Sequence, residues 1–205
     1  MLGVALEFDN LSSCTNVNRM LEVKDLNLSP IQNLCFIWPP GVSWICGDEG
    51  TGKTTLLRLI AGVALPTTGT VTVPDGGVFW VDLQSPTHDQ TTVQECWDAL
   101  RPSYPNWNSV LQDDLAQALD MHTHRHKRLN MLSTGSRRKV MVIAALASGA
   151  TVTLLDQPFG GLDMPSMQVI KDFLREAAEH PRRAWLVADY EAPRDVPLAS
   201  VLTLD

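Results

Sequence analysis

The stretch GDEGTGKTT, Gly47 to Thr55, spaces Gly47, Gly52, Lys53 and Thr54 as G-x-x-x-x-G-K-[ST]. That spacing suits phosphate. Glycines let a backbone wrap closely around a phosphate group so that amide N–H donors converge on it. The whole run is therefore a candidate cradle: Gly47, Asp48, Glu49, Gly50, Thr51, Gly52, Lys53, Thr54 and Thr55. Lys53 would reach the β- and γ-phosphates, and the Thr54 hydroxyl would ligate Mg²⁺. About a hundred residues on, Asp156 closes the apolar run TVTLL. An acid at a strand end is placed to orient Mg²⁺, although buried strands also end in Asp without any function. The expected ligands are ATP and Mg²⁺.

Such residues need rigid elements behind them. VSWIC reads as a buried strand running straight into the glycine loop, and TTLLRLIAG as a helix closed by Gly62. LEFDNL (Leu6 to Leu11) and MLEVKDLNL (Met20 to Leu28) alternate apolar and polar residues, the pattern of half-buried antiparallel strands. NLCFIW follows as a strand; TGTVTV and VFWVDL read as another pair, joined by the turn PDGG. From about Thr91 the patterns become helical, at TVQECWDAL and VLQDDLAQALDM, which suggests an inserted helical lobe over roughly 91–135.

A helix from Arg137 to Ala147, a strand from Val152 to Leu155 and a further helix come next. In that last helix Met167, Ile170, Phe173, Leu174, Ala177 and Ala178 share one face, with Pro165 near its first turn. AWLVA and SVLTL supply final strands. Buried strands alternating with helices predict an α/β fold: a P-loop NTPase core with a mainly parallel sheet, an N-terminal antiparallel β subdomain and an inserted helical subdomain, all in one domain, 1–205.

Bulk composition narrows the function classes. The chain of 205 residues carries 16 basic and 23 acidic residues, a net charge of −7, which makes nucleic acid an unlikely partner. Cys14, Cys35, Cys46 and Cys96 are scattered without a CxxC pair and read as small apolar residues in a reducing compartment. MLGVALEFDN has no basic start or long apolar run, so no secretory leader is expected. Val140 to Leu155 is free of charge, but its 16 residues fall short of a bilayer span and are broken by SGAT, so a helix, a turn and a strand fit better. HTHRHKR brings His122, His124 and His126 onto one face only if extended; a solvated basic loop is the default over zinc. Trp80, Trp97, Trp107 and Trp185 read as core or interface anchors.

Further pieces fall in a telling order. Gln84 follows FWVDL, LSTGS (Leu132 to Ser136) begins the run LSTGSRRKV, Ser133 stands 23 residues before Asp156, and GGLD ends at Asp163. Together with the glycine loop they resemble the ATP-binding cassette (ABC) ATPase family over nearly the whole chain. The resemblance implies a head-to-tail homodimer or cassette heterodimer, each ATP held between the phosphate loop of one chain and Ser133 and Gly135 of the other. It implies a separate transmembrane permease subunit and a peripheral position at the cytoplasmic face of the inner or plasma membrane. It assigns Gln84 to the lid region, with Mg²⁺ contacts from Thr54, Gln84 and Asp156, and places Trp97 and Trp107 near the surface that receives the permease. With the sequence ending at SVLTLD, the resemblance leads us to expect no C-terminal regulatory domain, as in small haem-exporter-like or ABC-2-type exporter cassettes.

Departures from that family's pattern fall around the γ-phosphate. Where its general base is usually Glu, this chain has Gln157; where a switch histidine is usual, it has Asp189. Gln157, Asp189 and Gln84 are therefore the candidate catalytic positions. An amide cannot take a proton from water at neutral pH. Gln157 is either the natural residue of a slow or silent cassette or an engineered change of the kind that traps the ATP-bound dimer. The signature has Thr134 and Ser136 where Gly and Gln are usual, and SPIQN is short where an adenine-stacking Tyr is usual. The alternative readings are a non-transport ABC protein acting as an ATP-dependent switch and a weak regulatory cassette of a heterodimer.

Overall fold

A computed structural model describes residues 20–82 and 86–205. The strand expected at Leu6–Leu11 and the lid residue Gln84 lie outside the described residues. Two sheets form. The first is antiparallel, order β2-β1-β4, built from β1 (Leu21–Leu28), β2 (Ile31–Trp38) and β4 (Thr68–Thr72). The second is parallel, order β5-β6-β7-β3-β8, built from β3 (Gly41–Cys46), β5 (Val78–Phe79), β6 (Val152–Asp156), β7 (Ala184–Ala188) and β8 (Ser200–Thr203).

This corrects one expectation. TGTVTV and VFWVDL do not pair with each other: β4 joins β1 in the antiparallel sheet, while only Val78–Phe79 is strand and lies along β6. The PDGG turn carries the chain from one sheet to the other, and no local pattern records which partner each strand finds.

Alternation along the central strands gives the parallel sheet two apolar faces. Val42, Trp44, Trp185 and Val187 face one cluster; Ile45, Ala184, Leu186 and Ala188 face the other. The first face is covered by α2 (Val93–Leu100), α3 (Ser109–Ala118), α4 (Thr134–Ala147) and α5 (Met164–Ala177). The second is covered by α1 (Lys53–Ile60) and the antiparallel sheet. Burial on both faces is what a parallel sheet requires.

Trp97 helps tie the helical insertion to the core. Trp97 is fully buried and its Nε1 donates to the Val140 carbonyl at 3.1 Å. It is a core residue, not part of an exposed partner surface; Trp107 is half-buried and donates to Gln112. Val140 to Leu155 is the buried end of α4, a turn and β6, as expected, and no helix among the described residues is long and apolar enough to cross a membrane. Cys96 is buried, Cys46 is half-buried, and Cys35 is exposed against Asp25.

Candidate functional site

The sheet register sets the geometry. Ile45, Ala188 and Asp156 form one row across β3, β7 and β6, so the residues after them leave the sheet side by side. That edge, at the carboxyl ends of the strands, is where open α/β sheets take their ligands. From β3 the chain enters the glycine loop and then α1. Gly47 holds φ at +151°, and a Cβ there would stand 2.5 Å from the Leu204 carbonyl oxygen. Gly52 caps α1 with φ at +100°, in the left-handed region that glycine tolerates.

Lys53 is 5% exposed. Its ammonium donates to the Gly47 and Asp48 carbonyls, both at 2.6 Å, and stands 5.0 Å from the centre of the Tyr190 ring. A buried cation needs partners. Carbonyls supply them here, and a phosphate oxygen is the stronger, charge-assisted one. The carboxylate-bearing Asp48 and Glu49 are exposed, Gly50 likewise, and Thr51 donates its hydroxyl back to the Asp48 carbonyl at 3.0 Å. Thr55 is half-buried in the first turn of α1.

Thr54 and Asp156 meet. The Thr54 hydroxyl donates to Asp156 Oδ2 at 2.7 Å, while Asp156 Oδ1 is buried with no hydrogen-bond partner among the described residues. Burial pushes the Asp156 carboxyl above its ordinary range, opposed by the Thr54 hydrogen bond and by Lys53, Arg58 and Arg138. A buried, half-satisfied carboxylate beside a hydroxyl is an all-oxygen donor set that fits Mg²⁺. Thr54 and Asp156 would hold it. The two line a cleft of about 270 Å³ together with Trp80, Arg58, Arg138 and Gln157.

Gln157 follows Asp156 with φ at +44°, a conformation that costs a residue with a side chain about 1–2 kcal/mol. Its N–H donates to the Ala188 carbonyl at 2.8 Å. One strand over, the Asp189 N–H donates to the Ile45 carbonyl at 3.1 Å, and its carboxylate accepts from the Tyr190 N–H at 2.8 Å. Burial raises the Asp189 carboxyl as well. Gln157 and Asp189 line a second cleft, about 410 Å³, with Phe159, Gly160, Met167 and Tyr190.

Ser133 and Gly135 line neither cleft. The helix was expected to start near Ser136 or Arg137; it starts at Thr134, with Ser133 as its N-cap, the side chain accepting from the Ser136 N–H at 3.1 Å. Gly135 is inside the first turn, where an added Cβ would run into the Gly161 carbonyl oxygen. Helix start and GGLD loop are thus in backbone contact, joined further by Lys139 to Asp163 at 3.2 Å. His122–His124 is a short 3-10 turn, not an extended segment, and among the described residues no group of three or more His, Cys, Asp or Glu is placed to hold a metal.

A groove of about 440 Å³ flanks the loop, lined by Pro30, Ile31, Leu34, Thr51 and Leu204 with no aromatic ring among its lining residues. Two side chains that spacing alone did not flag reach the site: Arg138 and Tyr190. Their signal was faint, a basic run after the signature and an aromatic after a strand-end acid.

Residues 35–160 match the family model described as ABC transporter. The chain belongs to the ABC transporter family. Among curated ABC proteins it is 27% identical over 178 residues to the taurine import ATP-binding protein TauB of Pseudomonas fluorescens, covering 77% of this chain and 64% of that one. It is 26% identical over 186 residues to the ABC transporter ATP-binding protein YtrB of Bacillus subtilis, covering 85% and 60%. Against the cytochrome c biogenesis ATP-binding export protein CcmA of Sphingopyxis alaskensis, identity is 32% over 123 residues, covering 58% and 61%. The chain thus spans a little under two thirds of these three relatives.

The α/β fold with its parallel sheet and antiparallel β subdomain is that of ABC cassettes. An ABC transporter ATP-binding protein from Pyrococcus furiosus superposes with a TM-score of 0.72 at 22% identity, covering 90% of this chain and 96% of that one. The dimeric structure of the bacterial ABC transporter cassette MJ0796 superposes with a TM-score of 0.68 at 20% identity, covering 84% and 88%.

Proposed function

We propose that this chain is the ATP-binding subunit of an ABC transporter, closing head to tail on ATP and acting on a separate transmembrane subunit at the cytoplasmic face of a membrane. The observation that carries the reading is the Thr54–Asp156 hydrogen bond, with one Asp156 oxygen buried and, among the described residues, unpartnered beside the glycine loop. TauB and CcmA are named for import and for export, so the role their names have in common is ATP binding, and that role is the one assigned here.

The residues divide the work as follows. Loop N–H groups and Lys53 bind the phosphates; Thr54 and Asp156 hold Mg²⁺, with Gln84 as the lid ligand expected from the resemblance. When bound, Mg²⁺ neutralises phosphate charge. In hydrolysis a water oxygen bonds to the γ-phosphorus as the bond to the β–γ bridging oxygen breaks, ADP keeps that electron pair, and the water proton must leave. The Gln157 amide can orient the water but not accept its proton. Asp189 lies on the neighbouring strand end and would serve as the switch position. Ser133 and Gly135 would meet the γ-phosphate of a partner chain, in a homodimer or beside a different cassette. With Gln157 native, the chain is a slow cassette, best suited to holding ATP.

Calorimetric titration with Mg²⁺-ATP tests the site. Lys53→Ala removes the buried ammonium and should weaken ATP by about 10- to 150-fold, the range for a lost charged hydrogen bond of roughly 1.5–3 kcal/mol. Equal affinity in the variant overturns the assignment.

A further inference from the structure

The cleft beside Asp156 holds one cation left without an ion pair among the described residues. Two arginines line it. Arg58 is paired with Asp82 at 3.6 Å. Arg138, on the first turns of α4, makes no such pair among the described residues, and its hydrogen bond there runs from Nη1 to the Gly160 carbonyl. A guanidinium carries five N–H donors in a fixed plane, so most of its donor capacity is unused.

Its place is fixed from behind. The group lies against Gly160, where a Cβ would stand 3.2 Å from the Arg138 Cζ. Gly160 in turn donates its N–H to the Gln157 carbonyl at 3.3 Å, so Arg138 is attached to the same turn that carries Gln157. It is half-buried, and its charge favours the ionised forms of both Asp156 and Asp189. It lines the same cleft as Asp156 and Gln157.

Resting on the nucleotide reading above, we infer that Arg138 binds the terminal phosphate of ATP from within the same chain. The loop N–H groups cradle the phosphates, and Lys53 reaches the β- and γ-phosphates from the loop side. A third phosphate reaching past Thr54 would enter the cleft that Thr54, Gln157 and Arg138 line. There a triphosphate brings negative charge beside Asp156, and Gln157 offers no charge of either sign. Arg138 supplies the opposite charge and planar donors that suit phosphate oxygens. ADP has no group in that position, so Arg138 makes the site prefer the triphosphate.

The test is a titration of wild type, Arg138→Gln and Arg138→Lys with ATP and with ADP, both with Mg²⁺. Arg138→Gln should weaken ATP by about 10-fold or more while ADP changes by less than about 3-fold; Arg138→Lys should recover part of the ATP affinity. Retained ADP affinity reports that the variant is folded. If Arg138→Gln weakens both nucleotides alike, the residue only braces the Gly160 turn and the inference is wrong. It is equally wrong if neither affinity changes. A wild-type chain that binds neither nucleotide overturns the nucleotide reading itself, a result distinct from an unchanged ATP-to-ADP ratio.

Discussion

Thr54 and Asp156, 102 residues apart in sequence, share a 2.7 Å hydrogen bond that joins the glycine loop to the end of β6. The Asp156 carboxyl is raised mainly by burial. A raised pKa means the proton returns at a higher pH than for an ordinary carboxylate, and the protonated form holds Mg²⁺ poorly. Mg²⁺-dependent ATP affinity should therefore decline as pH falls, beginning above the ordinary carboxylate range near 4. Titrations across pH 4–8 check this. Asp156→Asn should bind more weakly at pH 8 and show a flatter profile; an Asn variant with the wild-type slope would mean another group titrates.

Gln157 bears on turnover. Gln157→Glu keeps the shape and restores a proton acceptor, so steady-state hydrolysis should rise by 10²–10⁴-fold, the usual contribution of a general base. Asp189→His, alone and combined, separates the second departure from the first. A double variant no faster than wild type would place the hydrolytic position elsewhere.

Association should follow the γ-phosphate. Light scattering should show ATP, but not ADP, shifting the chain toward a dimer. Ser133 must be changed with care, because it caps α4 and an alanine there costs about 1 kcal/mol of helix stability. Ser133→Asp keeps the cap while placing a negative charge against the incoming phosphate. It should abolish ATP-driven pairing without lowering the melting temperature; ADP dimerising as well as ATP counts against the sandwich.

Asp163 gives a stability test. The Ser166 hydroxyl and N–H, followed by Lys139, hold its carboxyl down to about 2. A depressed carboxyl stabilises the fold above its unfolded value near 4, and that contribution is lost as pH falls toward 2. Asp163→Asn keeps an N-cap for α5 but does not titrate. Melting curves should converge for the two proteins between pH 4 and 2 and differ most above it. Parallel curves would show that Asp163 gains nothing from these partners.

The glycine loop, the strand before it and the acid closing β6 were legible because each is a local pattern. What stayed hidden depends on distant partners. β4 and β5 look alike in sequence yet belong to different sheets. Gly135 argues against a helix start, being a poor helix former; the helix starts before it, capped by Ser133, and the Gly161 backbone packs where a side chain would be. Trp97 reads as core or as interface anchor, with core favoured, and its full burial and its hydrogen bond to the Val140 carbonyl decide it. Arg138 is one of several bases in RRK until the Gly160 turn is folded against it.

The positions after Asp156 and after Ala188 are held by their own main-chain N–H groups, bonded to the Ala188 and Ile45 carbonyls. Neither bond depends on which side chain is present. Glutamine and glutamate codons differ by a single base, as do those of aspartate and histidine. On the roles proposed for Gln157 and Asp189, the chemistry at this end of the sheet would be reversible in evolutionary time: a lineage could silence the cassette, or revive it, by point mutation, with no refolding barrier between the two states.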